Sequence, residues 1–101
     1  MPVKKPLSVE WSKRAEDDLA RIEHHYLEEA GEQLSEMAGD AIYWQVQRIA
    51  SIHLKFREGM ANTRECTMQG WPYTIVYKID TAKVCVVRIL HQRREYFNRR
   101  K

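Results

Sequence analysis

The chain holds little that would bind a metal, a cofactor or a membrane. Its 101 residues include two cysteines, Cys66 and Cys85. Both fall in β-prone segments, and a zinc site needs more ligands at shorter spacing than these offer. The two thiols are expected to be reduced and buried, with a cross-strand disulfide as the minor alternative. No apolar run approaches the roughly 20 residues that cross a bilayer. The start, MPVKKPLSVEW, has two lysines but no apolar stretch behind them, so no secretory signal is expected and a cytoplasmic location is. There is no Gly-rich phosphate loop, no Ser-His-Asp set and no carboxylate pair spaced for acid–base work. Repeats and low-complexity tracts are missing too. No cofactor is implied, and what chemistry there is must come from ordinary side chains.

At 44% hydrophobic residues over 101 positions, the sequence predicts one domain spanning 1–101 with one modest core. The formal net charge of +3 hides an asymmetry. Residues 1–50 carry ten acids and six bases, whereas residues 51–101 carry four acids and eleven bases. A one-sided positive field attracts nucleic acid or an acidic protein segment. A plain solvated surface is the alternative.

Hydrophobic spacing sets the elements. Leu7, Val9 and Trp11 alternate with Ser8 and Glu10, which predicts an opening strand with one apolar face. Ser12 is placed to cap a helix, with Glu16, Asp17 and Asp18 where the helix dipole favours acids. Ala15, Leu19, Ile22, Tyr26 and Ala30 share one helical face, and Gly31 ends it. A second helix is expected from about Glu32 to Leu54. Its stripe is Leu34, Ala38, Ala41, Gln45, Ile49 and Ile52, widened by Met37, Ile42 and Val46. Gly39 weakens its middle or lets the first helix approach closely.

Residues 63–90 then read as three strands: Thr63–Met68, Tyr73–Ile79 and Val84–Leu90, joined by turns at 69–72 and 80–83. Tyr73, Ile75, Tyr77 and Ile79 form the apolar side of the middle one. The last strand is apolar on both faces and is expected to be central. The fold class is therefore α+β, β-α-α-β-β-β, with an antiparallel-rich sheet and a helical hairpin packed on one face. Nothing in the sequence is expected to cover the other face.

A basic, aromatic tail closes the chain. Metal-free RNA cleavage needs a group to move the 2′-hydroxyl proton, cations to hold the phosphate and a proton for the leaving oxygen. The candidates are His91, because histidine titrates near neutral pH, Arg64, Arg88 and Arg94 as phosphate grips, and Tyr96 as proton donor or stacking platform. Each has a blander reading. A single His at a strand end is more often structural, and Arg93 and Arg94 serve equally well as a solubilising tail. Tyr96 and Phe97 suit packing against the core. His24 and His25 are read as surface, and His53 suits the cationic end of a helix.

The ordered set VEWSKRAEDDLARI, Arg64-Glu65, Pro72-Tyr73, Ile75-Val76-Tyr77 and Ile89-Leu90-His91 with Arg93-Arg94 resembles the ParE/RelE superfamily of bacterial toxins from type II toxin–antitoxin modules. It is closer to the ParE branch, and the likeness covers almost the whole chain. The resemblance implies a toxin held inactive by a small acidic antitoxin. ParE-like members poison DNA gyrase without enzymatic action, which is the expectation here. RelE-like members cut mRNA in the ribosomal A site, and a ribosome-dependent mRNA endonuclease is the alternative. RelE-like chains often place an Arg after the aromatic that opens the third strand; here Thr74 follows Tyr73. An apolar groove beside the hairpin, with Leu19, Ile22 and Tyr26, is the expected antitoxin contact. The segment with Arg93, Arg94, Tyr96 and Phe97 is the expected functional tail.

Overall fold

A computed structural model describes residues 6–52 and 62–92. The elements run β1 (Ser8–Trp11), α1 (Lys13–Ala30), α2 (Glu32–Ile52), β2 (Arg64–Thr67), β3 (Tyr73–Asp80) and β4 (Lys83–His91). The four strands form one sheet in the order β1-β4-β3-β2. β2, β3 and β4 make an antiparallel meander, and β1 pairs parallel with β4. A parallel pair needs a long crossover, and the α1–α2 hairpin with β2 and β3 supplies it.

β4 lies inside the sheet, as its two apolar faces require. Its partner on one side changes along its length. Residues 83–86 pair with β1. Beyond Val86 the chain of β1 turns away into α1, and side chains of that helix take over the strand edge. The Ser12 hydroxyl donates to the Val87 carbonyl at 2.8 Å and accepts from the Ala15 N–H, so one side chain caps α1 and ties it to β4. Asp18 Oδ2 then accepts the Ile89 N–H at 2.9 Å. The register with β3 slips here: Tyr77 faces Val86 and Val76 faces Arg88, leaving Val87 as the extra residue of a bulge. Bulges re-aim neighbouring side chains, and Arg88 is turned towards α1.

The core lies between the hairpin and one sheet face. Leu19, Ile22, Ile42, Val46 and Ile49 meet Ile75, Tyr77, Val84, Val86 and Ile89 there, with Trp11 half-buried at the margin. The α2 stripe differs from the sequence reading. Ala38, Ile42, Val46, Ile49 and Ala50 are the buried positions, while Leu34, Ala41 and Gln45 are half-buried and Met37 is half-exposed. Two overlapping helical rows were available, and the branched residues Ile42 and Val46 fill the core better than Gln45. Ala30 at the end of α1 is exposed, and the side chain of Ile52 lies outside the described residues. On the sheet, Glu65, Thr74, Val76 and Leu90 are buried although Val76 and Leu90 stand apart from the hairpin core. The second face is therefore less open than the sequence suggested.

Gly31 has φ 98° and its N–H donates to the Tyr26 and Leu27 carbonyls, which closes α1 and starts α2 at once. Cys66 is buried on β2 and Cys85 half-buried on β4, and both are free thiols. Among the described residues no helix is long and apolar enough to cross a membrane.

Candidate functional site

Two clefts flank the turn between β2 and β3. The first, about 450 Å³, lies between α1 and the ends of β3 and β4. Arg21, Ile22, His25 and Tyr26 line it from the helix; Pro72, Tyr73, Ile89 and His91 line it from the sheet. Ile22 and Tyr26 sit here because they are one helical turn apart on α1. Tyr73 and His91 sit here because the strand register makes them neighbours, and their rings meet edge-on with centroids 5.6 Å apart. The Tyr73 phenol is held above its ordinary range by burial and by a hydrogen bond with Tyr26. Its ring forms one wall of the cleft.

The second cleft, about 560 Å³, lies against α2. Met37, Asp40, Ala41, Trp44, Gln45 and Arg48 face Met68, Gln69 and Trp71 across it. Trp44 is 63% exposed and Met37 50%, a large apolar surface for so small a domain. The Arg48 guanidinium stacks 5.2 Å from the Trp44 ring centroid. Trp71 is the ridge between the clefts. Its ring packs edge-on against Tyr26 at 5.6 Å, so the two depressions share a wall.

Gln92 holds that ridge in place. Its N–H donates to the Pro72 carbonyl at 2.8 Å, and its side-chain amide nitrogen lies 3.1 to 3.4 Å from the carbonyls of Tyr73, Trp71 and Met68. A long polar side chain at the end of a strand gives no sequence signal for such a staple.

Of the residues considered for RNA cleavage, the described ones, Arg64, Arg88 and His91, do not line one cleft. His91 lines the first cleft. Arg88 is engaged by Asp18, with Nε–Oδ2 at 2.7 Å and Nη2–Oδ1 at 3.0 Å. Arg64 pairs with Tyr77 in the middle of β3, whereas His91 pairs with Tyr73 at its start. Those two positions are four steps apart along the strand, about 13 Å at the usual rise. Arg93, Arg94, Tyr96 and Phe97 lie outside the described residues, as does His53. Leu19 is a core residue and does not line the cleft.

Asp18 has a role beyond the helix-dipole reading of its sequence position. It is 1% exposed. Its position was legible: Ala15, Asp18, Leu19 and Ile22 follow the i, i+3, i+4, i+7 spacing of one buried stripe, and an acid in that stripe demands a cation. Arg21 also reaches Asp18, Nη1–Oδ1 3.3 Å, from a side chain that is 65% exposed. One carboxylate thus serves two guanidiniums. His25 reads as surface in the sequence, and Arg21 carries no signal there; only the sheet beside them makes a cleft.

A hairpin packed on a four-stranded sheet in the order β-α-α-β-β-β is the fold of the ParE/RelE toxins. The family model described as "ParE toxin of type II toxin-antitoxin system, parDE" matches residues 9–96, and the chain belongs to that family. A chain from the solved structure "Chromosomal ParDE TA system from P. aeruginosa" superposes with a TM-score of 0.77 at 23% identity, covering 84% of this chain and 95% of the other. No curated protein matches.

Proposed function

We propose that this toxin acts by inhibiting DNA gyrase through protein–protein contact, in the cytoplasm, and that a cognate antitoxin neutralises it. Membership of the ParE family is the observation that carries the reading. The geometry favours contact over catalysis. A nuclease would need several cations beside His91 to offset phosphate charge; among the described residues Arg88 is engaged by Asp18 and Arg64 pairs with mid-strand Tyr77, while Arg21 shares the cleft. The walls around His91 are Ile22, Ile89, Pro72 and two tyrosines, which suit a protein segment.

The test is a supercoiling assay with purified gyrase, run beside a translation reaction in which mRNA ends are mapped. Lost supercoiling with gyrase trapped on cleaved DNA, and intact mRNA, is the expected result. Untouched supercoiling together with mRNA cut inside codons would establish the endonuclease alternative instead. His91→Ala should leave gyrase inhibition within a few-fold of the parent, because no proton transfer is asked of it; a general acid or base would cost on the order of 10²–10⁴ in rate.

A further inference from the structure

We infer that the antitoxin straddles the Trp71 ridge, placing a carboxylate side chain in the cleft beside Arg21 and apolar side chains in the cleft beside Trp44. This rests on the antitoxin partnership above and adds which chemistry each cleft recognises.

The charge argument is local. None of the described residues lining the first cleft is acidic, while Arg21, His25 and His91 all face it. Several acids of α1 have partners outside the cleft. Asp18 is shared by Arg88 and Arg21, so that group of three carries one net positive charge. Asp17 pairs with Lys13 at 3.1 Å and Glu28 with His24 at 3.3 Å. The Glu23 carboxylate lies against Gly39 of α2. A guanidinium above an apolar and aromatic floor recognises a single carboxylate well, because its planar fork of donors matches the two carboxylate oxygens. A nucleic acid would want several cations spread along a track, and the described cations of the cleft form one spot.

The second cleft supplies the complementary half. Met68, Trp71, Met37 and Trp44 form an adaptable apolar surface, and methionine-rich surfaces re-pack around a partner. Arg48, already stacked on Trp44, offers a second cationic group at its rim. Because Tyr26 and Trp71 touch, no solvent gap separates the clefts, and one short segment can occupy both.

The experiment measures affinity of the cognate antitoxin for the purified chain by calorimetry. Arg21→Glu and Trp44→Ala change exposed side chains; because Arg21 also touches Asp18, melting curves check that each variant folds. Lys13→Glu, on α1 but remote from both clefts, is the control. Each cleft variant is expected to weaken binding about tenfold or more, equivalent to roughly 1.4 kcal/mol, with the control unchanged. Replacing the antitoxin's acids one at a time by amides should locate one whose loss costs nothing further in the Arg21→Glu background. Unchanged affinity in either cleft variant overturns the straddling arrangement. Arg21-dependent capture of a single-stranded RNA oligonucleotide that competes with the antitoxin overturns the carboxylate assignment. Failure of the parent chain to bind the cognate antitoxin strikes at the partnership itself, which separates the two failures.

Discussion

Asp18 is an acid placed where α1 meets β4, and it closes three bonds at once: two to Arg88 and one to the Ile89 N–H. Breaking a buried pair by removing one partner is far costlier than never having made it, because the other charge stays buried. Asp18→Ala leaves the Arg88 guanidinium and a strand N–H without their acceptor, and should cost about 3–5 kcal/mol in urea unfolding. A cost below about 1 kcal/mol would mean the pair is only a surface ornament. The thiols offer a second test at this scale. Burial pushes the Cys66 thiol up to about 11 from 9.0, with the Gln45 hydrogen bond and the Arg48 charge working against the shift. The reactive species is the thiolate, so in the native protein at pH 8 iodoacetamide should modify Cys85 well before Cys66, with mass spectrometry locating the label. The same shift sets a direction for stability. Below pH 9 the thiol is neutral folded or unfolded; between 9 and 11 only the unfolded chain ionises it, so its contribution is lost as pH rises through that window.

At the scale of elements, α2 carries a helix-weakening glycine in its buried middle. A Cβ at Gly39 would fall on the Glu23 carboxylate of α1, the movable end of a flexible side chain, and on no backbone atom. The glycine therefore accommodates a side chain, not a helix–helix backbone contact. Gly39→Ala should gain less than the full propensity difference of about 1 kcal/mol, because Glu23 must swing aside, and the full gain should appear when Glu23 is also alanine. Thermal melts of the two single variants and the double read the coupling directly; a large loss in the double would mean the helices themselves are too close. The elements were legible because their signals are local. Ser12, Gly31 and the alternation in 73–79 act within a few residues, and the four strands and two helices lie within a residue or two of their sequence boundaries. Face choice on α2 was less so, since Gln45 and Val46 both fit a helical row and only the sheet decides between them. The parallel pairing of β1 and the bulge at Val87 are products of long-range fit, and no neighbour in sequence encodes them. The same holds for the clefts. Ile22 and Tyr26 lie 69 and 65 residues before His91 and meet it only through the packing of α1 on β3 and β4, while Gln92 and Arg21 take their roles from surfaces that folding creates.

For the whole molecule, the charge asymmetry becomes a kinetic property. The first half carries ten acids and six bases and the second half four acids and eleven bases. The sequence after Gln92 alone adds five bases and one acid. Such a field steers an acidic partner during approach, and steering acts on the rate of association far more than on the contacts that hold a docked complex. The apolar part of the proposed interface, at Trp44, Met37 and Trp71, behaves differently: desolvated contacts of this kind govern departure. Stopped-flow association with the antitoxin should therefore slow by about tenfold or more as ionic strength rises from roughly 0.01 M to 1 M, over which the screening length falls from about 30 Å to about 3 Å. Dissociation should change much less. Trp44→Ala should do the opposite, speeding dissociation while leaving the salt dependence of association intact. Association that ignores salt would show that the basic half is merely a solvated surface, and that complex formation relies on shape and apolar contact alone.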